Sequence, residues 1–133
     1  MLRLLLFTVG GVRFGIDVDQ IEGMTAYRGE TGDDLCWFHD LLAYGGPPVR
    51  YLTPTVIAVR TETEPACRVI IDAMEAIIEV SQDEMACFPP LIEPFALRRG
   101  MWGLWWRSGT MTVLLDLLRL LPERSASIRP IDS

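Results

Sequence analysis

The residues with the most evident chemical potential sit in one short stretch. Cys36 and His39 form a Cys-x-x-His pair, and Asp40 follows His39 directly. Such a set can supply a thiolate, a base and an orienting carboxylate, or half of a zinc site. Neither reading closes. A structural zinc wants four ligands, and the chain offers no second pair because His39 is its sole histidine. A cysteine nucleophile needs its base delivered to the sulfur, whereas residues three apart on a strand point to opposite faces. An ordinary structural role is the favoured reading for both.

Other candidates fare similarly. Asp17 and Asp19 share the wet face of one expected strand, and acidic groups there more often solubilise a strand and discourage edge pairing than bind a cation. Gly10-Gly11 and Ser108-Gly109 are turn dipeptides without a phosphate-binding pattern around them. No metal and no cofactor is expected. Trp102, Trp105 and Trp106, with Trp37, are a concentration of a residue type enriched at interface hot spots. Trp105 and Trp106 must point to opposite strand faces, and we read one as core and the other as the cover of a barrel end.

Composition narrows the function classes. The chain has 133 residues, enough for one domain, and half of them are apolar. The net charge is −6 and every basic residue is an arginine, scattered singly apart from Arg98-Arg99 and forming no stripe. That excludes nucleic acid as the main partner, since phosphate neutralisation needs a basic footprint. It also argues against anionic membrane surfaces. Three cysteines, Cys36, Cys67 and Cys87, are an odd number without a close pair, and are expected to be buried, reduced thiols of a cytoplasmic protein. The apolar start, residues 1–9, is too short for a signal peptide and lacks a small-residue cleavage site. No apolar run reaches the length of a membrane-spanning helix, so no membrane insertion is expected.

The elements that would position these residues are mostly strands. Residues 2–9 form an apolar run, Gly10-Gly11 supplies a hairpin turn, and Val12, Phe14, Ile16 and Val18 then alternate with polar or small residues. A loop is expected over residues 25–34, then strands over 35–38, 56–60 and 66–71. A helical turn over 40–44 and a turn over 61–65 separate them. Residues 73–80 contain helix formers, yet Met74, Ala76, Ile78 and Val80 alternate, and we read a strand. Ser81 and Glu84 have capping-box spacing, so a helical turn follows. Pro89, Pro90 and Pro94 mark an irregular crossover. Strands over 102–107 and 111–115 close the fold, with a short helix over 116–121. Residues 1–122 form the domain and 123–133 a flexible tail. The expected class is all-β with short helical turns, a barrel or sandwich. A weak internal echo links residues 13–17 with 68–72 and residues 38–42 with 114–118 in the same order, as two related small barrels packed together would produce.

The order of these segments resembles the CheW-like family. The resemblance is carried by Phe7-Thr8-Val9-Gly10, Phe14-Gly15-Ile16-Asp17-Val18 and Ile21, and by Val56-Ile57-Ala58-Val59 and Val69-Ile70-Ile71-Asp72. Ile77-Ile78-Glu79-Val80, Pro89-Pro90, Trp102-Gly103-Leu104 and Val113-Leu114-Leu115-Asp116-Leu117-Leu118 complete it. The connection after Ile21 is shorter than in the family, and Ala26-Tyr27-Arg28-Gly29 stands where an Asn-Leu-Arg-Gly motif is usual.

The resemblance implies two intertwined five-stranded SH3-like barrels and a non-catalytic adaptor of bacterial chemotaxis-type signalling. Its implied partners are the regulatory domain of a CheA-type histidine kinase and the cytoplasmic tip of a chemoreceptor. Ile21, Val18 and Met24 are the implied kinase-binding residues, with Val18 read mainly as core. Arg28 and Ile77 are the implied receptor-binding residues, with Arg28 read mainly as a solvated loop residue. A divergent member that binds kinase but not receptor, or serves another apparatus such as twitching motility, stays within the same resemblance. The rival from another class is a small β-barrel enzyme or ligand carrier using Cys36 and His39, which requires a pocket where those groups converge.

Overall fold

A computed structural model describes residues 2–42, 49–61 and 67–121. The end of the helical turn expected over 40–44, most of the turn over 61–65 and the tail 123–133 lie outside these residues. The described residues form ten strands: β1 (Leu2–Val9), β2 (Val12–Asp17), β3 (Ile21–Ala26), β4 (Leu35–Trp37), β5 (Thr55–Val59), β6 (Cys67–Ile71), β7 (Met74–Val80), β8 (Met85–Ala86), β9 (Met101–Arg107) and β10 (Thr110–Leu115). Three short helices, α1 (Phe38–Leu41), α2 (Glu93–Arg98) and α3 (Leu117–Leu120), join them. Two 3-10 turns, Val18–Gln20 and Gln82–Glu84, follow β2 and β7. The second carries the capping box expected from Ser81 and Glu84.

The strands make two sheets, one of six in the order β7-β1-β2-β10-β9-β8 and one of four in the order β3-β5-β6-β4. Each sheet mixes both halves of the chain. The β1–β2 hairpin is flanked by β7 (antiparallel) and β10 (parallel), and the β5–β6 pair by β3 (antiparallel) and β4 (parallel). The internal echo in the sequence falls on this correspondence. Residues 13–17 lie in β2, and 68–72 run through β6 into the following turn. Residues 38–42 and 114–118 each lie where a parallel strand passes into a helix.

The six-stranded sheet cannot be flat. Its two edge strands, β7 and β8, are joined by residues 81–84 alone. Six flat strands would hold those edges about 24 Å apart, whereas the link from Val80 to Met85 reaches at most about 17 Å. The sheet therefore curls, and β1 has a core on each face. Leu4 and Leu6, with Val80, Trp105 and Leu114, fill the concave side. Leu5, Phe7 and Val9, with Phe14, Ile16 and Leu115, face Ile57, Val59, Cys67, Val69 and Ile71 of the four-stranded sheet. Phe38 of α1 plugs this main core, edge-on to Phe7 at 5.1 Å and to Phe14 at 4.8 Å. The concave side is tight at Gly15, where a Cβ would stand 3.3 Å from side-chain atoms of both Leu114 and Thr112.

Several expectations change. The fold is predominantly β, as expected, but no closed barrel is found among the described residues. The sheets have six and four strands, and β7 and β8 share no ladder. Residues 25 and 26 belong to strand β3 rather than to a loop, and part of the expected proline-rich crossover is helix α2. The strand expected to run to Phe38 stops at Trp37, and His39 lies in α1, so Cys36 and His39 do not share a strand. Asp17 and Asp19 do not share a strand face, because Asp19 lies in the 3-10 turn and donates its N–H to the Asp17 carboxylate at 2.9 Å. Of the three cysteines only Cys67 is buried; Cys36 is half-buried and Cys87 exposed. Trp105 is core as expected, at 1% exposed, whereas Trp106, expected to cover a barrel end, is 55% exposed.

Two stability predictions follow from this packing. Gly100 and Gly109 have the same positive φ of 79°, but a Cβ on Gly100 would lie 3.2 Å from the Asp116 carbonyl oxygen, whereas Gly109 faces open space. Gly109→Ala should cost about 1 kcal/mol for backbone strain alone, and Gly100→Ala at least about 1 kcal/mol more; urea unfolding of both variants measures the difference. The Asp72 carboxylate is pushed up by burial, but N–H groups of Thr53 (2.7 Å), Leu52 (3.1 Å) and Ala73 (2.9 Å) outweigh that and hold it below the ordinary value of 3.8. A lowered carboxylate pKa stabilises the fold above the unfolded-state pKa, and that contribution fades as pH falls through the folded-state value. The stability gap between wild type and Asp72→Asn, read by urea titration, should narrow between about pH 5 and pH 3.

Candidate functional site

β3 is one edge of the four-stranded sheet, with β5 on one side and, among the described residues, no strand on the other. Every residue from Glu22 to Ala26 is exposed. A register shift between Ile21 and Gly23 places Ile21 opposite Val59 and Met24 opposite Ile57. Val59 and Ile57 both face the main core, so Ile21 and Met24, although three apart, share the inward face of the edge. Ile21 is half-buried and packs on the core, as does Val18 in the preceding turn, while Met24 overhangs it and is exposed.

Hydrogen bonds fix both ends of this edge. The Arg60 N–H donates to the Gln20 carbonyl at 2.8 Å, and its guanidinium Nε donates to the Asp19 carbonyl at 3.1 Å. The Gln20 side chain donates to Asp116 at 2.8 Å and accepts the Leu117 N–H at 2.9 Å, tying the turn before β3 to the start of α3. At the other end the Tyr27 N–H donates to the Pro54 carbonyl at 3.0 Å.

The five residues singled out from sequence fall in three places. Val18, Ile21 and Met24 are contiguous along the turn and β3. Arg28 follows β3 and is exposed, its N–H donating to Glu30 at 2.6 Å, which holds that carboxyl below its usual range. Ile77 lies on β7, the edge of the other sheet, and is 48% exposed although its ladder partner Leu5 is buried. Exposed Glu75 and Glu79 alternate with Ile77 along that strand.

The Cys36–His39 stretch is built differently. Trp37 ends β4 and stands beside Ile70 in the parallel ladder with β6. The Tyr27 and Tyr51 rings pack edge-on against it at 5.3 and 5.0 Å, covering that face of the sheet. His39, in α1, has its Nδ1 2.9 Å from the Tyr51 hydroxyl and its Nε2 3.4 Å from Asp40. Both ring nitrogens are thus directed to the aromatic cluster and its rim rather than to the Cys36 sulfur. No group of three His, Cys, Asp or Glu able to hold a metal occurs among the described residues. Nearby, Asp34 and Arg68 pair through two hydrogen bonds, at 2.8 and 3.2 Å. That pairing raises the Arg68 pKa despite partial burial.

Sequence reasoning missed α2 and the surface around it. Its signals were present: Pro94 in the first turn, arginines at the end and Gly100 just beyond are helix start and stop marks. The flanking prolines drew attention instead. Leu91, at 85% exposed, and Phe95, at 61%, are among the most exposed large apolar residues of the described chain. No helix among the described residues is long and apolar enough to cross a membrane.

No protein-family model matches the sequence, and no curated protein matches it either. The fold does have counterparts among solved structures. One is the scaffolding protein TtCheW from Thermoanaerobacter tengcongensis, which superposes with a TM-score of 0.64 at 12% sequence identity, over 86% of this chain and 88% of that one. The arrangement of two strand-exchanged sheets is thus similar to the fold of a CheW scaffolding protein.

Proposed function

We propose that this chain is a non-catalytic adaptor of chemotaxis-type signalling that acts in the cytoplasm. The observation that carries the reading is the exposed β3 edge, with Ile21 and Met24 on one face, in a fold similar to that of a scaffolding protein. A free sheet edge offers backbone donors and acceptors to a partner strand, and the apolar side chains beside it add area to bury. The partner we assign to it is the regulatory domain of a CheA-type histidine kinase. Val18 supports this surface from beneath, because it packs on the core. The second edge, β7 with Ile77, and the loop bearing Arg28 are the surfaces we assign to the cytoplasmic tip of a chemoreceptor.

Titration calorimetry against the regulatory domain of a CheA-type kinase from the same organism tests this directly. Wild type should bind, and Met24→Glu should weaken binding by about tenfold or more, because a carboxylate is then carried into an apolar contact. Met24 is exposed, so the fold should survive, whereas Ile21→Glu at a half-buried site should also lower Tm. Ile77→Glu should leave kinase binding unchanged. Absence of wild-type binding removes the signalling role while leaving the fold as described.

A further inference from the structure

Three arginines of this acidic protein converge on one concavity. Arg98 and Arg99 close α2, Arg119 stands on α3, and together with Leu41, Leu42 and Leu120 they line a cleft of about 210 Å³. The cleft walls are fixed by a close backbone crossing. The Asp116 N–H donates to the Gly100 carbonyl at 2.7 Å, and Gly100 lies so near Leu120 that a Cβ would meet its nitrogen at 3.2 Å.

The charges there are largely uncompensated. Arg119 reaches the Asp116 carboxylate only at 3.9 Å, and that carboxylate already accepts from Gln20 and from the Leu118 N–H. Among the described residues no carboxylate pairs with Arg98 or Arg99. Arg98 donates its Nε to the Pro94 carbonyl at 3.3 Å and lies over the Phe95 ring, 5.0 Å from its centre. That contact joins the cleft to an exposed apolar ridge of Leu91, Ile92 and Phe95.

We infer that this surface docks an acidic, amphipathic segment of a partner protein. The planar guanidinium fork is suited to carboxylates. A floor of leucines beside an apolar ridge suits a peptide that brings apolar side chains along with its charge better than a small hydrated anion. On a chain of net charge −6, three arginines on one cleft offer an acidic partner a locally favourable field. The surface shares no residue with the β3 edge, so it stands whether or not the kinase assignment holds.

The test is a titration of the isotope-labelled full chain, followed by amide NMR, with two synthetic amphipathic peptides of equal length. One is built of leucine and glutamate, the other of leucine and lysine. The leucine–glutamate peptide should shift resonances around Leu41, Leu42, Arg98, Arg99 and Leu120, and should bind more weakly as salt is raised. Arg98→Glu and Arg119→Glu should each weaken it by about tenfold or more, and both sites are exposed, so Tm should hold. Equal binding of the two peptides, no binding of the acidic one, or shifts confined to other surfaces would overturn the inference. So would inorganic phosphate matching the acidic peptide in affinity and shifts, which would make this a small-anion site. Concentration-dependent shifts at the same residues without peptide would give the surface to a second copy of the chain and equally overturn it.

Discussion

The rest of the structure depends on the burial of β1 on both faces. Leu4 and Leu6 point into the curl of the six-stranded sheet, and Leu5, Phe7 and Val9 point into the main core. A strand in that position cannot alternate apolar with polar residues, and from Leu4 to Phe7 this one does not. Complete burial of each such side chain contributes about 1.5–3 kcal/mol, so this segment is a large share of what a chain of this size can gain from its core. The same constraint limits β2. Gly15, opposite Leu6, lies where a Cβ would crowd the Leu114, Thr112 and Leu6 side chains on the concave side, while its neighbours Phe14 and Ile16 face the main core.

Strand exchange between the halves of the chain follows from that arrangement and determines what is left at the surface. β3 and β4 leave the first half to flank the β5–β6 pair, and β7 and β10 leave the second half to flank the β1–β2 hairpin. The pairs at the centre of each set are thereby covered, and β3 and β7 become edges. Ile77 on β7 and Met24 on β3 are exposed for that reason, although each stands opposite a buried residue in its ladder. The polar link from Gln20 to Asp116 and Leu117 ties the turn before β3 to α3, so the edge is held against the opposite half of the molecule.

Where one face or both faces of an element were buried, the sequence pattern was legible. The β1–β2 hairpin and β7 were read from period and turn residues, and the capping box after β7 from spacing alone. β3 was only half visible. Its residues after Ile21 include Gly23, Thr25 and Ala26, and the register shift puts Ile21 and Met24 on one face at a spacing that period-two counting assigns to opposite faces. α2 was hidden by the prolines that start it. The barrels were expected from resemblance, and local pattern carries no information on whether β7 and β8 pair across the curl. His39 was placed on a strand with Cys36 because a helix of four residues, Phe38–Leu41, is too short to show its period.

The central claim is that β1 and β2 form the doubly buried centre while β3 is an open edge available to a partner. Native-state hydrogen exchange, residue by residue, with and without the regulatory domain of a CheA-type kinase, addresses both parts. The account predicts that amides of Leu4 to Phe7 exchange only through global unfolding, that outward amides of β3 exchange far faster, and that kinase domain slows the β3 amides selectively. Protection of β3 equal to that of β1 in the free protein, or faster exchange in β1 than in β3, would contradict it.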